Sequence, residues 1–282
     1  MSHPSIALIC GRVRVEERQL FEAFGRRGVH CEHIDDRGIV YQVGESFPRW
    51  DAVLNRSISA TTRQEVSRVC AAERILAVNR LEVVQRCDNK FATALQLNEA
   101  DVPTPATAIA LDPQNGGEAV EAVGYPAVVK PVTGSWGRGL AKVSDPDAAE
   151  AVFGVRAQLA TPQQRLGLAQ GFVVGRDIRV LVVGNQAVAA MARESGHWIR
   201  NTARGARADS VPLDGELTKL AVRAAEAVGG GVLGVDLLEG SDGDRTVLEV
   251  NAAPEFHGLA EAHPDLDIAG AVADFVVEAA AA

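Results

Sequence analysis

The stretch Val232–Asn251, VLGVDLLEGSDGDRTVLEVN, reads as two apolar strands joined by a turn, with an acid set into each strand. Gly240-Ser241-Asp242-Gly243-Asp244 carries turn chemistry, so Val232–Glu239 and Thr246–Asn251 are expected to pair as a hairpin. Folding it back brings Asp236 roughly opposite Glu249, and like charges facing each other destabilise a sheet. Side chains alternate along a strand, so Glu249 and Asn251 share one face and can converge beside Asp236. Hard oxygen ligands of this kind suit Mg²⁺, above all when phosphates complete its shell. The alternative is that the carboxylates simply face solvent at a hairpin surface.

Upstream lies a second hairpin, Asp177–Val183 and Gln186–Ala192, around Gly184-Asn185, a two-residue turn that favours positive φ. Antiparallel sheet is therefore expected from about Ala169 onward. A polar stretch, Glu194 to Ser210, separates it from a helix over Leu213–Val228, and an alanine-rich helix from Ile268 closes the chain. The middle of the chain shows a strand, Tyr125 to Lys130, a turn-rich segment to Gly139, a strand at Leu140–Val143 and a helix from Asp145. At the start, the apolar run Ile6–Cys10, a helical pattern ending at Gly28, and the runs Ala52–Leu54 and Ile75–Val78 suggest a small parallel sheet. Prolines at Pro103 and Pro105 end the helix that contains Lys90. These readings divide the chain into residues 1–85, 86–168 and 169–282, packed as one body.

The 282 residues are 47% hydrophobic, which excludes a disordered chain, and 28 Lys and Arg against 37 Asp and Glu give a formal charge of −9. A nucleic-acid partner is disfavoured by that balance. No apolar run reaches membrane-spanning length and MSHPSIALIC lacks a basic leader, so no membrane association and a cytoplasmic location are expected. Cys10, Cys31, Cys70 and Cys87 show neither CxxC nor zinc spacing and read as reduced structural thiols.

Against this acidic background, two cationic regions stand out. Lys130 ends an apolar strand and is followed by a loop with Gly134, Gly137 and Gly139, whose backbone N–H groups could cover phosphates or merely turn the chain. The loop matches neither the Walker A spacing nor the dinucleotide fingerprint. Gly196 to Arg207, with His197, Trp198, Arg200, Asn201, Arg204 and Arg207, reads as an anion-binding loop that Arg179 and Arg193 could extend, or else as a solvated connection.

The order of these pieces resembles the ATP-grasp superfamily, and within it the branch of ribosomal-protein S6 glutamate ligases and the lysine-biosynthesis ligase LysX. The residues that carry the resemblance are Lys90, Ala127–Pro131, Gly134-Ser135-Trp136-Gly137-Arg138-Gly139, Gln170 with Phe172-Val173, Arg176–Arg179, Asn201–Gly205, Asp236 and Glu249-Val250-Asn251. Gly11-Arg12-Val13-Arg14-Val15-Glu16-Glu17, Gly134–Lys142 and His197–Gly205 are similar to the LysX branch in particular. The resemblance implies an ATP-grasp fold of the α/β (α+β) class, with an N-terminal parallel domain, a central lid and a C-terminal mixed or antiparallel domain. It implies ATP and two Mg²⁺ ions as cofactors, with Asp236, Glu249 and Asn251 as metal ligands. Nucleotide contacts would come from Lys90, Lys130, the loop Gly134–Gly139, Gln170, Gly171, Phe172, Val173 and Asp177. Arg179, Arg193, Asn201 and Arg204 would serve catalysis, and His197, Trp198, Arg200, Glu255 and Phe256 would meet substrate.

The implied partner is a small acidic amino-group carrier protein. The γ-carboxylate of its C-terminal glutamate would receive the α-amine of α-aminoadipate, glutamate or a related amino acid, in a homodimeric or homotetrameric enzyme. The alternatives are a ligase acting on another protein tail or a free acid, and a nucleotide-binding regulator without turnover. Two departures touch specificity: Gly171 stands where many relatives carry Glu, and Asn251-Ala252-Ala253-Pro254-Glu255-Phe256-His257-Gly258 replaces a segment closer to NHTMEFKN.

Overall fold

The computed structural model describes residues 4–134, 137–194, 198 and 207–282. The chain opens with β1 (Ile6–Ile9), α1 (Val15–Arg26), β2 (Cys31–Ile34), β3 (Ala52–Asn55), α2 (Ala60–Ala72) and β4 (Leu76–Val78). Their sheet is parallel in the order β2-β1-β3-β4. The two central strands, IALI and AVLN, are buried throughout, as expected for a parallel sheet covered on both faces. In α1, Leu20, Ala23 and Phe24 fall on one face at helical spacing and enter the core. Two helices follow, α3 (Leu81–Asp88) and α4 (Lys90–Glu99). Asn89 caps α4 by accepting from the Phe91 and Ala92 N–H groups, which sets Lys90 at the helix start.

The central sheet comprises β5 (Thr107–Ala110), β6 (Ala127–Lys130), β7 (Ala141–Val143) and β8 (Gly167–Gly171), with α5 (Gly116–Val123), α6 (Pro146–Ala157) and α7 (Pro162–Arg165) between them. It is antiparallel, in the order β5-β8-β6-β7. Ala169 to Gly171 lie in this sheet. The last sheet holds β9 (Arg176–Val183), β10 (Gln186–Glu194), β11 (Arg207–Val211), β12 (Val232–Glu239) and β13 (Arg245–Asn251) in the antiparallel order β11-β10-β9-β12-β13. It is accompanied by α8 (Gly215–Val228), α9 (His257–Ala262) and α10 (Ile268–Ala281).

The first and last sheets share one core: Ile6, Leu8, Leu20 and Phe24 meet Leu181, Met191, Val232 and, from α10, Val272 and Val276. Asn79, buried just beyond β4, pins this junction. Its Nδ2 donates to Val232 O at 2.8 Å and Ala252 O at 2.7 Å, and its Oδ1 accepts from Val232 N at 2.7 Å. Gly231 is required beside it, because a Cβ there would lie 1.9 Å from Asn79 Oδ1 and φ is +118°. The opposite face of the last sheet packs on α8, α3 and α4, and the central sheet keeps a separate core around Phe153.

Four strands lie outside the sequence reading: β2, β5 and β11, each an edge strand paired on one side only, and β8, a five-residue strand between β5 and β6 that contains two glycines. Edge strands escape the need for a continuous apolar run. Among the described residues no helix is long and apolar enough to cross a membrane.

Candidate active site

A cavity of about 350 Å³ opens where the three sheets meet, lined by Arg14, Arg56 and Ser57 from the first, Lys130 and Gln170 from the central one and Asp236, Glu249 and Asn251 from the last. The hairpin that organises it has the expected register, with Asp236 directly across from Glu249. The like-charge strain is relieved by cations arriving from elsewhere. On its other side Asp236 pairs in register with Arg179 of β9, which donates Nε to Oδ1 and Nη2 to Oδ2, both at 2.7 Å. Arg193 Nη1 and Asn251 Nδ2 add bonds to Oδ2 at 3.3 and 3.2 Å. Glu249 accepts from Lys90 Nζ at 2.8 Å.

Burial by itself would raise the Glu249 carboxyl, but Lys90, Lys130 and Arg179 outweigh it and hold the group far below the usual carboxylate range. The same contest runs in reverse at Lys90, where burial opposes the charge and Glu249 wins, lifting the ammonium above its ordinary value. Lys130 has no such close partner. Burial lowers it from 10.5 to about 8, with Glu249 opposing and Lys90 adding to the effect, and its Nζ donates to Gln170 Oε1 at 2.7 Å. Asp177 is raised by burial, against the pull of Arg193, which donates to Asp177 Oδ1 from Nε at 2.9 Å and from Nη2 at 2.6 Å.

The central sheet and the β12–β13 hairpin together supply a different surface. Val128, Phe172, Val173, Leu238 and Leu248 give the cavity an apolar wall suited to a planar ring, and Lys142 Nζ lies 3.7 Å from the Phe172 ring centroid. Trp198 meets Phe172 edge-on, with the centroids 6.1 Å apart. The N–H groups of Gly171 and Phe172 are already bonded to Ala106 O and Pro126 O at 2.9 and 3.0 Å. Gly134, Gly137 and Arg138 also line the cavity. The loop glycines Gly134, Gly137 and Gly139 have φ of 142°, 65° and 70°, which explains their residue type.

Most of the expected site residues that the structure describes therefore converge. Two do not line the cavity. Phe256, expected at the substrate, is 1% exposed and belongs to the core shared by the first and last sheets, where its ring lies under the Arg56 guanidinium at 5.7 Å. An aromatic at that position is held by packing. Gly139 rests near Pro131 instead. Ser135, Trp136, His197, Arg200, Asn201 and Arg204 lie outside the described residues.

The structure adds Arg14, Arg56, Ser57, Arg63 and Asp88, which the sequence reading did not place at a site. Arg14 stood within the quoted segment Gly11–Glu17, but the others carried no signal beyond sitting after a short apolar strand or at a helix end. Among the described residues no three His, Cys, Asp or Glu gather as a metal cluster. The oxygen set for a cation is Asp236, Glu249 and the Asn251 amide, which fits a hard ion that takes its other ligands from phosphate and water.

The comparisons agree with this geometry. Residues 87–276 match the RimK-like ATP-grasp domain, and residues 6–86 match the LysX preATP-grasp domain. The chain belongs to the RimK-like ATP-grasp family. "Alpha-aminoadipate--LysW ligase LysX" of Saccharolobus solfataricus is 36% identical over 182 residues, 64% of this chain and 66% of that protein. "Probable alpha-L-glutamate ligase" of Serratia proteamaculans is 32% identical over 92% of this chain and 90% of that one. The crystal structure of a RimK domain ATP-grasp protein from Sphaerobacter thermophilus superposes with a TM-score of 0.81, 29% identity and coverage of 96% of this chain and 99% of that chain. The ATP-grasp fold is thus shown, and the protein is an ADP-forming carboxylate–amine ligase that uses ATP.

Proposed function

We propose that this ligase joins the α-amine of a free amino acid to the γ-carboxylate of the C-terminal glutamate of a small acidic carrier protein, through an acyl phosphate. The observation that carries this reading is the meeting, in one cavity, of the Lys90–Glu249 and Arg179–Asp236 pairs with the charged groups Arg14 and Glu255 of the first and last parts of the chain. Phosphate chemistry and amino-acid recognition thus share one enclosure. The LysX name, with LysW as the protein ligated, supports the carrier; the chain's preATP-grasp match supports the branch.

Lys90, Lys130 and the loop Gly134–Gly139 hold the phosphates, with the Phe172–Val173 wall against adenine. Asp236, Glu249 and Asn251 would hold Mg²⁺, two ions in the fullest arrangement, and when bound the metal would draw charge from the transferring phosphoryl group. The carrier carboxylate attacks the γ-phosphorus and ADP leaves. The amine then adds to the acyl carbon, and phosphate departs with one oxygen of the original carboxylate. Arg179 and Arg193, both anchored on carboxylates, hold the site's positive field in place, and enclosure under the glycine loop keeps water from the acyl phosphate. No covalent bond to the enzyme is needed. The ligase is expected to act as a cytoplasmic homodimer or homotetramer.

The second reading is ligation of glutamate to another protein tail or a free acid, favoured by the near full-length likeness to the Serratia glutamate ligase. Intact-mass analysis decides between them. Purified protein with ATP, Mg²⁺ and a panel of amino acids adds one residue mass to a glutamate-terminated carrier if the first reading holds. ADP release with free acids alone establishes the second and overturns the first.

A further inference from the structure

The first sheet reverses its strand order between β1 and β3: β2 lies on one side of β1, while β3 and then β4 extend the other. In open parallel sheets the crevice beyond the carboxyl ends of the strands at such a reversal is where ligands bind. Here that crevice opens into the cavity lined by Lys90, Lys130 and Glu249, and it is furnished with charge. Arg14 follows β1, and Arg56 and Ser57 follow β3. The Arg14 guanidinium is fixed from behind by Glu17, to which Nε and Nη2 each donate at 3.0 Å. Its remaining arm, Nη1, points at Glu255 Oε1, also 3.0 Å away.

Glu17 is fully buried and is itself braced by Arg56 Nε at 3.0 Å, whose Nη1 donates to Pro254 O at 2.8 Å. One network therefore sets both Arg14 and the backbone that carries Glu255. Between the two strand ends the Ser57 hydroxyl is fully buried, lines the same cavity and has no hydrogen-bond partner. A buried hydroxyl without a partner is a costly feature that a bound acceptor would repair.

We infer that this crevice seats the free amino acid as a zwitterion, with Arg14 Nη1 and Ser57 Oγ holding its carboxylate and Glu255 holding its ammonium group. The assignment rests on the ligase reading above and names the recognition chemistry of its amine substrate. The Arg14 and Glu255 side chains are 23% and 34% exposed, so their ion pair is half-solvated and weak, and it opens readily. A zwitterion replaces that one pair with two. An amine lacking the carboxylate leaves Arg14 unmatched, and an acid lacking the amine leaves Glu255 unmatched, so both are rejected. Glu255 positions the ammonium group and is not the reacting group.

The test is calorimetric binding of the twenty amino acids and α-aminoadipate to the full chain loaded with a non-hydrolysable ATP analogue and Mg²⁺. The expected result is that at least one amino acid binds, and that its decarboxylated amine and its deaminated acid each bind on the order of tenfold or more weakly. Glu255→Gln and Arg14→Gln each lower the amino-acid affinity on the order of tenfold, and Ser57→Ala lowers it less, while affinity for the ATP analogue stays within about twofold. Glu255 is partly exposed, so its variant reports even where the Arg14 variant fails to fold. The assignment is overturned if no amino acid binds, or if Glu255→Gln binds it as wild type does. Binding that follows this pattern without amide formation under any acceptor overturns the ligase reading and leaves the seat standing; amide formation with unaltered binding in the variants does the opposite.

Discussion

Replacing Lys130 by methionine separates what its charge costs the fold from what it contributes to nucleotide binding. The residue is 7% exposed, and burial brings its ammonium from 10.5 down to about 8. At about 1.4 kcal/mol per pH unit, that difference makes the charged form about 3 kcal/mol unfavourable in the nucleotide-free fold at neutral pH. Methionine has nearly the same length, removes the charge and forfeits the 2.7 Å bond to Gln170 Oε1, a loss of about 1 kcal/mol. Lys130→Met is therefore expected to raise nucleotide-free stability by about 2 kcal/mol at pH 7 and to abolish most of the stabilisation that ATP confers. Because the folded-state pKa lies below the unfolded one, wild type also gains stability as pH rises from about 8 toward 10.5, a gain the variant lacks. Urea unfolding at pH 7 and 9.5, with and without a non-hydrolysable ATP analogue, measures all three quantities. A variant that is less stable without nucleotide, or that keeps the full nucleotide-induced shift, refutes the reasoning.

Other perturbations probe the joints around the cavity. Asn79→Ala strands the Val232 N–H and two carbonyls at the junction of the first and last sheets, and urea unfolding should show a loss of about 3 kcal/mol or more. Glu17→Gln leaves Arg14 and Arg56 without their shared carboxylate, a destabilisation of about 3 kcal/mol at pH 7. Burial would raise Glu17, but the two arginines hold it below its ordinary 4.5, so its contribution is present above that value and is lost as pH falls through the folded pKa. An acid titration of stability should consequently be shallower in Glu17→Gln than in wild type. Glu249→Ala frees Lys90 and removes an oxygen ligand, and ADP release in the presence of acceptors should drop at least about a hundredfold while the chain stays folded by circular dichroism.

How much of this was legible depended on whether the signal was local. Asp236 opposite Glu249 follows from one hairpin whose turn and strands are contiguous, and the register agrees. Arg179 and Lys90, the cations that reconcile those acids, arrive 57 and 159 residues away along the chain, so spacing alone could not pair them. The same distance hides the crevice: Arg14 and Glu255 are 241 residues apart and meet only because α10 and α1 bring the chain ends into one core. Phe256 illustrates the opposite error, since a motif neighbour of a functional residue alternates to the buried side and packs there. Edge strands such as β2 and β11, polar on at least one face, carry too little apolar pattern to be seen before their partners are known.

The central claim, carboxylate activation by phosphoryl transfer, is tested most directly by oxygen tracing. The carboxylate acceptor that supports ADP release is prepared with ¹⁸O in both carboxyl oxygens and turned over with ATP, Mg²⁺ and the amine. One ¹⁸O per amide formed should appear in inorganic phosphate, because the oxygen that attacks the γ-phosphorus leaves with it. Inorganic phosphate free of ¹⁸O, with amide still formed, would contradict the acyl phosphate and the role of Lys90, Lys130, Asp236 and Glu249 in forming it.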